Sequence, residues 1–143
     1  MKTTSDIVDI AREWIGTPYR HRMSKIGLGC DCLGLLRGVW RTYYQCDDPV
    51  KLPNYSPTWL DHRKDDPLIT AVSQYLESIP QKDLQAGSVV LFRIRDDLAS
   101  KHCAILSAPD KIIHAFNGIG VIEQPFDVKW QRRVTATFRF RNR

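Results

Sequence analysis

No apolar run in this chain approaches the roughly 18 residues that a transmembrane helix needs, so a single-helix membrane span is excluded. The opening stretch Met1-Lys2-Thr3-Thr4-Ser5-Asp6 lacks the apolar segment of an export signal. The expectation is a protein made in the cytoplasm that leaves it, if at all, by a route other than a signal peptide. Cysteine is scarce, and its spacing suits neither of its structural uses. Cys30 and Cys32 are separated by one residue, while Cys46 and Cys103 stand apart. That is no disulfide framework, and without export the thiols are expected to be reduced. A metal centre drawn from Cys30, Cys32, His102, Cys103 and His114 would rest on C-x-C and His-Cys pairs, which match the usual zinc spacings poorly. Neither a metal nor a cofactor is expected. Internal repeats and low-complexity segments are also missing, so repeat architectures are excluded.

What is present is an ordinary globular composition. The 143 residues are 43% apolar and 26% charged, with four Trp, five Tyr and five Phe. They fit one domain spanning residues 1–143. A core of this size buries roughly two-thirds of the unfolded surface, enough to fold without staples. The net charge of +5 favours anionic partners: nucleic acid, a membrane surface or an acidic wall polymer. Arg132-Arg133 and the arginine-rich residues 139–143 read as a solvated strand edge. No nucleic-acid-binding motif accompanies them, so nucleic acid is not the expected partner.

Ser5 reads as the N-cap of a first helix, with Ile7, Val8, Ile10, Ala11 and Trp14 at helical spacing and Gly16 and Pro18 ending it. Asp31 reads as the N-cap of a second helix, continued by Leu35, Leu36, Val39, Trp40 and Tyr43. Gly34 and Gly38 lie four residues apart on it. Each costs about 1 kcal/mol relative to Ala, which implies close packing against a neighbour. Residues 47–67, with Pro49, Pro53, Pro57 and Pro67, read as a long irregular connection. Asp66-Pro67 opens a third helix whose apolar stripe is Leu68, Ala71, Val72, Tyr75, Leu76 and Ile79. Strands follow at 89–94, 102–107, 111–116, 121–122 and 134–140. Helices first and a strand meander second is an α+β pattern.

With Asp31 at the cap, Cys32 is the first helical residue. Its sulfur lies near unpaired N–H groups and the positive end of the helix dipole, which lowers a thiol pKa. Cys32 shares a face with Leu36, Val39 and Tyr43, so it points toward whatever the helix packs on. Cys30 precedes the cap and gains nothing from it. Cys46 and Cys103 read as small buried hydrophobes. A cysteine nucleophile needs a base, and His102 and His114 lie on consecutive strands. If Ala108-Pro109-Asp110 is a three-residue hairpin loop, residue 102 pairs with 116 and 104 with 114. The two histidines then share a face, diagonal to one another. A loop of two or four residues would put them on opposite faces. A second histidine can hold the tautomer of the first, the orienting role often filled by Asp or Asn. The residues thus point to a Cys–His hydrolase, with a structural role for each histidine left open. His21 and His62 read as loop or surface residues.

Trp14-Ile15-Gly16-Thr17-Pro18-Tyr19 and Gly29-Cys30-Asp31-Cys32-Leu33-Gly34-Leu35 resemble the N-terminal half of the NlpC-type cysteine peptidases. Leu84 to Phe92, Lys101-His102-Cys103-Ala104-Ile105-Leu106 and Ile112-Ile113-His114-Ala115 resemble the family's later strands, in order and at typical spacing. The resemblance covers most of residues 6–116. It implies a papain-like α+β fold, with N-terminal helices packed on a C-terminal antiparallel sheet or half-barrel. It implies hydrolysis of peptide bonds in peptidoglycan stem peptides. Cys32 matches the nucleophile, His102 the general base and His114 the residue that orients it. Tyr19 matches a tyrosine at the mouth of the site that aids the oxyanion or holds substrate. Asp31 matches an acidic residue that some members use for a stem-peptide amine. The Gly-Cys-Asp-Cys-Leu-Gly-Leu form, with Arg37 and Trp40, is most similar to phage-tail and gene-transfer-agent peptidases, which implies carriage on such a particle and action in the cell wall or periplasm. Two positions depart from the family. Leu33 replaces the usual Ser after the nucleophile, and Ala104 replaces the usual Gly two residues after the base. An amidase or acyltransferase on the same fold, and an inactive tail-tip module, are the alternatives.

Overall fold

The computed structural model describes residues 4–47, 66–94 and 99–142. His62 and nearly all of the proline-rich connection lie outside the described residues. The first helix, α1 (Thr4–Arg12), begins earlier than expected, so Ser5 sits within it rather than at its cap. Ile7, Ala11 and Trp14 are buried along its apolar stripe and the turn that follows. Gly16 closes that turn at φ +93, a left-handed conformation that glycine adopts without a steric penalty. A short antiparallel pair, β1 (Ser24–Lys25) and β2 (Gly29–Cys30), leads into α2 (Cys32–Tyr44).

The glycine pair of α2 is explained by contact. A Cβ on Gly38 would lie 2.1 Å from Cζ2 of Trp14, and one on Gly34 would lie 2.0 Å from the carbonyl oxygen of Met23. Gly38 admits the Trp14 ring from the turn after α1, and Gly34 admits the loop before β1. The next helix, α3 (Pro67–Ser73), starts at the expected cap, with the Asp66 carboxylate accepting from Ile69 N at 3.0 Å. It ends sooner than its apolar stripe suggested. Glu77 and Ser78 form β3, and Ile79 is tied to Thr137 by two hydrogen bonds of 3.1 Å and 2.6 Å. Pairing with the C-terminal strand has overridden helical periodicity here.

The remaining strands are β4 (Val89–Phe92), β5 (His102–Ala108), β6 (Lys111–Phe116), β7 (Gly120–Pro125) and β8 (Val134–Arg139). The six-stranded sheet has the order β3-β8-β4-β5-β6-β7 and is antiparallel throughout. β8 therefore lies inside the sheet order, flanked on one side by the short β3, and Arg139 pairs with Glu77 at 2.8 Å. The arginine-rich end is only partly the free edge expected. β7 is longer than the two residues expected, and a single turn, α4 (Val128–Gln131), follows it unforeseen.

The sheet is covered on both faces. Cys103, Ile105, Ile113 and Phe138 face α1 and α2 in the main core. Val90, Phe92, Ala104, Leu106 and Ile112 face the other way and pack with Phe126 and Trp130. Among the described residues no helix is long and apolar enough to cross a membrane.

Candidate active site

Asp31 does cap α2, and Cys32 is its first residue. The buried Asp31 carboxylate accepts from Gly34 N and from Arg22 N, both at 2.7 Å. Its second oxygen also lies 3.9 Å from Nδ1 of His21, so His21 is less idle than its loop position suggested. This carboxylate fixes the start of α2 and fastens the preceding loop to it.

The histidine hairpin has the expected register by an unexpected route. Ile105 pairs with Ile113 and Leu106 with Ile112. That register, carried along the ladder, sets 104 opposite 114 and 102 opposite 116. The turn itself is tighter, because Ala108 pairs with Lys111. An irregularity between Leu106 and Ala108 absorbs the difference. A two-residue turn alone would have split the histidines between faces. The bulge restores them to one face. His102 Nε2 and His114 Nδ1 are 2.7 Å apart.

The two halves of the site come from opposite layers. The histidines share their face with Phe92 and Trp130, not with α2. Trp130 lies 5.6 Å from His102 and 5.1 Å from His114 between ring centres, and Phe92 and Phe116 complete an aromatic box. Cys32 arrives from the α2 side and meets His102 at the start of β5, where its sulfur lies 4.0 Å from the Lys101 carbonyl oxygen. The preceding residue is clamped: Ser100 donates from N and Oγ to Asp66 Oδ2 at 2.8 Å and 2.6 Å.

The electrostatics separate the thiols. Cys32 is pulled down to about 5 from an ordinary 9.0. A hydrogen bond from Cys103 is the main cause, burial opposes it, and His102 adds a hydrogen bond and a charge attraction. Cys103 goes the other way, well above its ordinary value, through its contact with Cys32 and its burial. It is therefore not a passive core residue: its thiol keeps its proton and sits against Cys32, with its sulfur 3.2 Å from the Cys32 carbonyl oxygen. Cys30 is pushed up to about 12 by burial and stays inert. Cys46 is exposed, contrary to expectation, and all four cysteines are free.

Tyr19 is bridged to Cys30, with Cys30 N donating to the Pro18 carbonyl and Arg20 N to the Cys30 carbonyl, each at 3.0 Å. The half-buried phenol is near enough to Cys32 to feel its charge. Burial and the neighbouring thiolate and carboxylate raise its pKa, so it remains an O–H donor at any working pH. His114, fully buried, is held down to about 4, first by burial and then by the charge of His102. Its Nε2 lies 2.6 Å from Oε1 of Gln124. Among the described residues no group of three His, Cys, Asp or Glu side chains could hold a metal ion.

A model of the NlpC/P60 family matches residues 16–139. The chain belongs to the NlpC/P60 family. No curated protein sequence matches it, but solved structures do. The NlpC/p60 domain of the peptidoglycan hydrolase SagA is 20% identical over 96% of this chain and 98% of its own, with a TM-score of 0.62. A protein from Staphylococcus aureus described as similar to lipoprotein, of the NLP/P60 family, is 19% identical over 98% of this chain, with a TM-score of 0.65. The peptidoglycan hydrolase RipB of Mycobacterium tuberculosis is 13% identical over 95% of this chain and 63% of its own, with a TM-score of 0.60. The chain spans 42% of the length of the staphylococcal protein. At these identities the likeness establishes the NlpC/P60 fold, an α+β fold of the papain-like kind.

The residues singled out in the sequence, Tyr19, Asp31, Cys32, His102 and His114, thus converge on one end of β5. Cys103, Gln124 and Trp130 were missed as parts of the site. Cys103 follows His102 directly, and its odd position puts it on the α2 face, a placement the strand alternation could have revealed.

Proposed function

We propose that this NlpC/P60 protein is a cysteine peptidase that cuts peptidoglycan stem peptides, with Cys32 as nucleophile. The observation that carries it is a thiol at a helix N-terminus held low by Cys103 and His102, with His102 2.7 Å from a neutral His114. The Cys32 thiolate attacks a scissile carbonyl carbon, and the oxyanion is met by the Cys32 N–H, which has no helical partner at this position, and by the Tyr19 hydroxyl. His102 as imidazolium gives its proton to the leaving amine as the C–N bond breaks. The neutral imidazole then takes a proton from water. The hydroxide attacks the thioester carbonyl and releases the acid and the thiolate. Asp31 frames this site through the two backbone N–H groups it binds.

The substrate is proposed to be a bond next to a D-glutamyl or diaminopimelate residue. The net positive charge suits an anionic wall. Leu33 offers no hydroxyl to a free substrate amine, which favours stem peptides lacking one at that subsite. The form of the motif at residues 29–35 supports carriage on a phage-like tail or gene-transfer particle. The test is digestion of muropeptides by the wild type and Cys32→Ala, read by mass spectrometry. Peptide-bond cleavage by the wild type alone is expected. Products cut between sugar and peptide would make the enzyme an amidase instead, and cleavage by Cys32→Ala would overturn the nucleophile.

A further inference from the structure

Gln124 stands at the far end of the chain of contacts that begins at Cys32. On β7 it is two residues from Ile122, which pairs with His114, so it lies on the face of His114 and diagonal to it. Its Oε1 is 2.6 Å from His114 Nε2, and the opposite ring nitrogen of His114 is 2.7 Å from His102 Nε2. An amide oxygen only accepts, so His114 Nε2 carries a hydrogen. A neutral imidazole has one N–H, so His114 Nδ1 must be an acceptor. His102 Nε2 must then donate to it, and the ring nitrogen that His102 has left for Cys32 is Nδ1.

We propose that Gln124 is a positioning residue that fixes the tautomers of both histidines in series, leaving the Nδ1 lone pair of neutral His102 aimed at the nucleophile. The inference rests on the reading of Cys32 and His102 as nucleophile and base, and it adds the group that sets the base's orientation. Without an acceptor at Gln124, the hydrogen of His114 Nε2 would be left among Phe116 and Trp130, whose rings lie 5.4 Å and 5.1 Å from His114. The other tautomer then wins. His114 Nδ1–H donates to His102 Nε2, and neutral His102 carries its own hydrogen on Nδ1, where it can no longer accept the thiol proton.

The test uses Gln124→Leu, which removes the acceptor and excludes water, and Gln124→Glu, which restores an acceptor. Three readouts are made on each: 15N imidazole spectra, the pH profile of Cys32 alkylation, and muropeptide kinetics. In the wild type, His114 is expected to show a bare Nδ1 and a protonated Nε2. Gln124→Leu should move hydrogen to Nδ1, raise the Cys32 inflection by at least about one pH unit, and cut kcat about 100-fold at unchanged KM, while Gln124→Glu stays within about tenfold. A wild-type His114 protonated on Nδ1 would overturn the proposal without any variant. So would a Gln124→Leu protein with unshifted spectra and inflection. If the wild type cuts no muropeptide, the substrate reading fails, and the spectra and alkylation still decide the role of Gln124.

Discussion

The depressed Cys32 pKa predicts an alkylation profile whose shape, not its speed, is diagnostic. The perturbation is pH, applied to a Cys46→Ser background that removes the exposed thiol. Cys32 titrates at about 5, against 9.0 for an ordinary thiol. Near neutrality that gap makes the thiolate fraction about 100-fold larger. A less basic thiolate is also a poorer nucleophile, and with a Brønsted slope of about 0.4–0.5 a gap of about four units costs 40- to 100-fold. The two effects nearly cancel around pH 7, so a single neutral rate cannot tell the activated thiol from a free one. At about pH 6 the fraction ratio approaches 900, and Cys32 should react about ten- to twentyfold faster than a free cysteine. At about pH 9 it should be 20- to 50-fold slower. Iodoacetamide labelling followed peptide by peptide in the mass spectrometer gives the profile, with buried, high-pKa Cys30 and Cys103 as silent internal controls. An inflection above about pH 8, parallel to free cysteine, would refute the reasoning from helix start, Cys103 and His102.

Three further outcomes follow from the packing. His114 is neutral in the fold, at about 4 against 6.5, so below about pH 6.5 the unfolded chain binds a proton that the native state does not. Stability should rise with pH through that window and be lost as pH falls. The loss is about 2–3 kcal/mol by about pH 4.5, and it should be reduced by about that amount in urea titrations of His114→Gln. Gly38→Ala gains about 1 kcal/mol of helix propensity but drives a Cβ into the rigid ring of buried Trp14. Overpacking should win by about 1–2 kcal/mol, read as a lower urea midpoint at constant slope; a stabilised variant would contradict the 2.1 Å contact. Asp66→Ala removes the α3 cap and both Ser100 bonds, for a loss of about 2–3 kcal/mol, and Asp66→Asn should recover part of it.

The helix starts were legible because caps are local chemistry: Asp31 and Asp66 each precede an apolar stripe and each carries a side-chain oxygen to its own third following N–H. The strands at 89, 102, 111 and 134 were legible from apolar runs and alternation. Long-range partners were not. The strand read at 121–122 stopped short of Glu123 and Gln124, yet Glu123 accepts from Ser107 at 2.5 Å and Gln124 meets His114, so β7 continues through them. The end of α3 was missed for the same reason, since periodicity cannot see a ladder with residues sixty positions away. The hairpin shows a subtler limit. Loop length alone gave the right face only because the bulge made good the residue that the two-residue turn omits. Of the site, the chemistry-bearing residues announced themselves by type, whereas Cys103 and Trp130 acquire their roles only from the layer in which they land.

That layering bears on synthesis. A ribosome delivers Cys32 and its helix long before the strand of His102, and the other half of the site, His114, Gln124 and the Trp130 cover, emerges in the last third of the chain. A chain that ends before β5 carries the Cys32 thiol with no histidine opposite it. The cluster is complete only with the hairpin of β6 and β7 and the single turn of α4 that follows it.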